Sequence, residues 1–160
     1  MKPKVVVTGI GIVSPVGLDR DSTWAALLDG KSGIDHINSF DPDGLETKIA
    51  GEVIGFDPTN YVGGKEARHM DRFVQFATAA ALEAVCEANL TIDERNAEKV
   101  GVVISSGIGG IITLEEQIGV LNTRGSRRVN PFLVPMMLPD MASGQVSMLV
   151  GAKGPNFATV

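Results

Sequence analysis

Cysteine is almost missing from this chain of 160 residues, and the single one, Cys86, permits no internal disulfide. No cluster of Cys and His has metal-ligand spacing either, so a zinc site is excluded and a reducing, cytoplasmic compartment is expected. Long apolar runs are lacking too. Only Val5 to Val7 separate the basic Met1-Lys2-Pro3-Lys4 from Thr8-Gly9, too few for the apolar centre of a signal peptide, and no run approaches a membrane span. Positive charge is short: 14 Lys and Arg against 19 Asp and Glu leave a net charge of −5, which argues against a nucleic-acid binder as a whole.

What is present reads as a soluble globular protein, with 44% hydrophobic and 21% charged residues and 19 regularly spaced glycines. The length suffices for a core of its own, provided every strand of the fold is supplied. Val5-Val6-Val7-Thr8, closed by Gly9-Ile10-Gly11, predicts a buried first strand running into a tight turn. Asp21-Ser22 can cap a helix whose Trp24, Leu27 and Leu28 form an apolar stripe, with Gly30 as its stop. Gly, Pro and Asp then multiply up to Gly64, with only Ile49 to Ile54 alternating as a brief strand would.

From Lys65 to about Asn89, Phe73, Phe76, Ala77, Ala80, Ala84 and Ala88 repeat at helical spacing and predict one long, central helix. A second strand is expected over Val100 to Ser105, and a third helix carries Leu114, Ile118 and Leu121 to a stop near Gly125. Pro131 and Pro135 predict an extended, rigid stretch. A fourth helix follows Pro139-Asp140 and stops at Gly151, before a last strand. Strands alternating with helices predict an α/β fold with a mainly parallel sheet and helices on both faces.

Gly9-Ile10-Gly11 after a strand invites a dinucleotide-binding reading, but the third glycine and the acidic residue some twenty positions on are absent, so a structural turn is preferred. Ser105-Ser106-Gly107-Ile108-Gly109-Gly110 stands between strand and helix. It could cradle an anion on free amides or be a plain turn, and it lacks the Lys-Ser/Thr of a P-loop. Cys86, mid-helix among Ala84, Val85 and Ala88, reads as a buried filler rather than a nucleophile. His36 has no partner nearby in sequence and receives no role.

Lys65, Arg68, His69 and Arg72, at i, i+3, i+4 and i+7, would share one face of the long helix's first two turns. Cations at a helix amino end are disfavoured, so an anionic partner is expected to compensate. Arg124, Arg127 and Arg128 form a second basic knot. Positive charge concentrated on an acidic protein suggests the steering of a specific negative partner.

Five stretches carry a closer likeness: Val5 to Gly11, Lys65-Glu66-Ala67-Arg68-His69-Met70-Asp71, Ser105 to Gly110, Pro131-Phe132-Leu133-Val134-Pro135-Met136-Met137 and Gly154-Pro155-Asn156-Phe157-Ala158-Thr159-Val160. In this order the chain resembles the β-ketoacyl-acyl carrier protein synthases of type II fatty-acid synthesis, which are condensing enzymes of thiolase-like fold. The resemblance implies that residues 1–160 are the amino-terminal part of such a domain, most of the first of its two similar halves. That part ends before the nucleophilic cysteine, and the two histidines and lysine of the family also fall beyond it. Such a piece would be inactive alone and would leave a sheet edge uncovered.

The resemblance further implies decarboxylative condensation of acyl groups with malonyl carrier protein. It assigns no catalytic residue, metal or organic cofactor to this stretch, the phosphopantetheine arm being the carrier's own. Gly107 and Ile108 would border the acyl tunnel, with Ile108 limiting chain length. Phe132 and Leu133 would reach a homodimer interface and line the partner subunit's tunnel. Lys65, Arg68, His69, Arg127 and Arg128 would dock the acidic acyl carrier protein, with His69 where many members have lysine. The alternative is a non-catalytic carrier-binding or scaffold module that keeps the docking surface without the nucleophile.

Overall fold

A computed structural model describes residues 3–159, whose regular structure comprises six helices and four two-residue strands. Asp19 opens helix α1 (Arg20–Leu28) by accepting the Ser22 amide at 2.7 Å while the Ser22 hydroxyl accepts the Asp19 amide, a reciprocal cap two residues before the expected one. That bond from the Ser22 amide is also the main cause holding the Asp19 carboxyl below its usual range. β1 (Asp35–His36) and β2 (Ile49–Ala50) pair antiparallel in the irregular excursion that follows. α2 (Gly64–Ala67) is a single turn, and α3 (Arg72–Glu87) is the longest helix.

β3 (Val102–Val103) leads through the glycine-rich loop into α4 (Ile111–Arg124), which ends at Gly125 with φ of +83°. α5 (Leu133–Met137) and α6 (Met141–Val150) come next, with Gly151 closing α6 in the left-handed conformation that glycine adopts without a Cβ clash. β4 (Asn156–Phe157) then pairs parallel to β3.

The core lies where α3 crosses α6. Met70, Val74 and Ala142 are buried together, with Val62, Phe73, Ala77 and Ile104 packed against them. Asn156 ties β4 to α6, its side chain bonding the Ser143 hydroxyl at 3.0 Å and the Ser143 carbonyl at 2.9 Å. Thr78, on the buried stripe of α3, has a hydroxyl with no hydrogen-bond partner. Exchanging that hydroxyl for a methyl removes an unsatisfied polar group, so Thr78→Val is expected to raise stability by about 1 kcal/mol. A higher urea midpoint at unchanged slope would show it, and a lower one would mean that the hydroxyl has a partner.

Several sequence expectations are corrected. Val5, Val6 and Val7 form no strand and are 96%, 71% and 81% exposed, because a strand needs a neighbour for its backbone groups and no described residue pairs with this run. The mainly parallel sheet is accordingly reduced to two separate pairs, one antiparallel and one parallel. The long helix from Lys65 is broken over 68–71, since Asp71 adopts extended backbone and starts α3 afresh as its cap. The Pro131 to Pro135 stretch ends in a helix: Pro135 sits in the first turn of α5, where its missing N–H would have had no helical partner. Trp24, Leu27 and Leu28 face outward while Thr23 and Ala26 are buried, and Cys86 is exposed rather than buried. No helix among the described residues is long and apolar enough to cross a membrane.

Candidate functional site

The loop after Val7 is shaped by α3. Gly9 and Gly11 lie so close to this helix that a Cβ on either would overlap the carbonyl oxygen of Ala84 or Ala80. Glu83 and Glu87, one turn apart on α3, clamp the loop. Glu83 accepts the amides of Ile12 at 2.8 Å and Arg20 at 2.7 Å, while Glu87 accepts that of Ile10 and pairs with the Arg20 guanidinium. These glycines admit a helix rather than a pyrophosphate, and the amides that would face a nucleotide are taken by carboxylates.

The Ser105 to Gly110 loop resolves its two readings in a similar way. The Gly109 amide donates to the Ser106 hydroxyl at 3.0 Å, the Gly110 amide to the Met137 carbonyl at 3.0 Å and the Ile111 amide to the Gly109 carbonyl at 3.0 Å. An anion would find them occupied. A Cβ at Gly110 would overlap the Met136 carbonyl oxygen, so the loop sits flush on the far end of α5. Gly107 meets nothing within 4 Å of its would-be Cβ, and Ile108 is 68% exposed. Phe132 caps the other end of α5 and Leu133 is its first residue. A five-residue helix is about 7.5 Å long, so Gly109 and Gly110 meet one end of a short rod whose other end carries Phe132 and Leu133.

The basic residues are distributed differently from the sequence expectation. Lys65 lies within the single turn of α2 and Arg68 is its C-terminal cap, so both precede α3 rather than lying on it. Arg72 is turned inward: its guanidinium lies 4.7 Å from the Phe76 ring centre and donates to the Val53 carbonyl at 2.8 Å. It belongs to the packing and leaves the shared face. Arg127 and Arg128 are exposed in a 3-10 turn, Ser126–Arg128, directly after α4.

His69 links the two segments that carry these residues. Its ring stacks on Phe132 with centroids 4.0 Å apart and planes 16° from parallel. Phe132 lies four residues after Arg128 and His69 one residue after Arg68, so the stack links the segments that carry these cations. None of the ion pairs among the described residues uses these four cations. All four are exposed.

Asp71 follows Lys65, Arg68 and His69 in the chain, and sequence reasoning gave it only partial relief of their charge. Buried, it accepts the Phe73 amide of α3 through one oxygen at 3.4 Å and the Thr113 amide of α4 through the other at 2.9 Å. An acid directly before an apolar helical run is a readable start signal; its second bond, across 42 residues, is not. Arg68, Asp71, Arg72, Thr113 and Glu116 also border a cleft of about 520 Å³. Neither His36, in β1, nor His69 is hydrogen-bonded to Cys86, and no group of described residues could hold a metal ion.

The sequence and this geometry have counterparts. A family model described as Beta-ketoacyl synthase, N-terminal domain, matches residues 2–160. The 3-oxoacyl-acyl-carrier-protein synthase 2 of Staphylococcus aureus (strain COL) is 50% identical over 157 residues, 98% of this chain and 38% of that protein. The chain thus spans well under half the length of such a relative. Among solved structures, the ishigamide ketosynthase/chain length factor aligns with a TM-score of 0.81 at 24% identity, over 97% of this chain and 39% of that one. A type II polyketide acyl-carrier protein in complex with its ketosynthase, bound to a hexaketide, aligns with a TM-score of 0.74 at 22% identity, over 92% and 39%. These two likenesses are of fold.

Proposed function

The chain belongs to the β-ketoacyl synthase family, through that family's N-terminal domain, and from this premise we propose that it serves a 3-oxoacyl-acyl carrier protein synthase of fatty-acid elongation. The reaction joins an acyl thioester to a malonyl thioester on carrier protein. Carbon dioxide leaves the malonyl group, the carbanion so formed attacks the acyl carbonyl, and the thiolate departs. The nucleophile and its proton-transfer partners are assigned to sequence that the longer relatives carry outside the matched stretch. In that longer protein the exposed Val5 to Val7 run would gain a neighbour, giving the mainly parallel sheet with helices on both faces. Gly107, Ile108, Phe132 and Leu133 are proposed to line the acyl path, the latter pair at a homodimer interface in the cytoplasm.

The role proposed for these 160 residues is capture of the acyl carrier protein, whose phosphopantetheine arm makes any other cofactor unnecessary. One observation supports it: the His69–Phe132 stack links the segment of the exposed Lys65 and Arg68 to the one that follows the exposed Arg127 and Arg128, on a protein of net charge −5. Exposed charge pairs are worth little singly, but reversing two cations replaces attraction with repulsion. The double variant Arg127→Glu/Arg128→Glu is expected to weaken carrier binding roughly ten- to thirtyfold and to flatten its dependence on salt. Calorimetry at two ionic strengths measures both. Unchanged affinity would remove the docking assignment, whether the chain serves a synthase or acts as a non-catalytic carrier-binding module.

A further inference from the structure

We infer that His69, in the turn after α2, is a positioning residue, whose ring sets Phe132 and thereby limits where the basic 3-10 turn Ser126–Arg128, four residues earlier, can lie; the inference rests on the carrier-docking reading above. The turn and the residues after it are anchored on one side only by polar bonds. The Asn130 amide donates to Gln117 of α4 at 2.7 Å, and the Asn130 side chain accepts the Phe132 amide at 2.9 Å. Towards α2 the situation is different. Among the described residues no hydrogen bond or ion pair joins 64–71 to 126–134, and the ring stack is the link that crosses.

A lysine here would bring a positive charge and lose the ring. A phenylalanine would keep the ring and bring no charge. These substitutions separate a residue that acts through its stack from one that acts as another docking cation, because they move in opposite directions. An aromatic pair of this geometry contributes enough that losing it should weaken carrier binding by about three- to tenfold, through relaxation of the Arg127-Arg128 turn.

The test uses His69→Phe, His69→Lys and His69→Ala with acyl carrier protein as the probe. His69→Phe is expected to stay within about twofold of the unsubstituted chain, and His69→Lys and His69→Ala to lose affinity together. Equal or better binding by His69→Lys with a loss in His69→Phe would overturn the inference. A second readout needs no carrier. With the exposed Cys86 replaced by Ser, spin labels at Lys65→Cys and Arg127→Cys should give a narrow distance distribution when residue 69 is His or Phe and a broad one when it is Lys or Ala. A distribution indifferent to residue 69 would overturn the inference too. A chain that fails to bind carrier yet shows this narrowing retires the docking reading and sustains the positioning of the turn.

Discussion

Gly11→Ala should release the amino-terminal segment from α3 and cost about 3 to 5 kcal/mol, a large share of the stability of an ordinary domain. The added Cβ would overlap the Ala80 carbonyl oxygen and crowd the Ala84 amide, and both are backbone atoms inside a helix that cannot step aside. The loop itself must move. Moving it breaks the bonds from Ile12 and Arg20 to Glu83, whose charged acceptor makes each worth more than a neutral bond. Trp24, the sole tryptophan, lines the same groove as Ile10 and Ile12, so its fluorescence reports the displacement directly. Gly119→Ala is the matched control: nothing stands within 4 Å of its would-be Cβ inside α4, and it should stabilise by about 1 kcal/mol. Should Gly11→Ala keep the wild-type urea midpoint, the close packing of this loop on α3 is disproved.

Asp71→Ala has the next largest expected effect, about 3 to 4 kcal/mol, because one carboxylate serves two helices. Its removal leaves the Phe73 amide of α3 uncapped and the Thr113 amide of α4 buried without a partner. Asp71→Asn distinguishes these contributions: one amide oxygen can still accept, but the amide nitrogen cannot, so roughly half of the loss should return. Hydrogen exchange at Phe73 and Thr113 should quicken together in the alanine variant, and at one of them in the asparagine variant. Exchange unaltered at Thr113 would refute the double cap. The loss should also reach Arg68 and His69, which lie three and two residues before this joint.

Much of the local structure is readable from the residues. The spacing of Leu114, Ile118 and Leu121 with Gly125 after them predicts α4, and Pro139-Asp140 with Gly151 bounds α6. The break between α2 and α3 is less accessible, because apolar residues keep helical spacing through it and Asp71 alone marks it. Trp24, Leu27 and Leu28 show the limit of periodicity. It identifies an apolar face but does not say whether the described chain supplies anything to cover it.

The site divides in the same manner. Lys65, Arg68, Arg127 and Arg128 are visible as two basic clusters, yet helical spacing assigned Arg72 to the same face, and packing took it away into the Phe56 and Phe76 rings. Nothing in the spacing of His69 and Phe132, 63 positions apart, announces that they touch.

The sequence by itself determined the family, the stops of α4 and α6, and the two concentrations of positive charge, because capping, periodicity and charge act over a few neighbouring residues. Only the tertiary structure decided which cations face solvent, why Gly9 and Gly11 must be glycine, and that one ring stack joins the two basic segments. Those outcomes depend on contacts between residues far apart in the chain, where distance is set by packing and not by sequence separation.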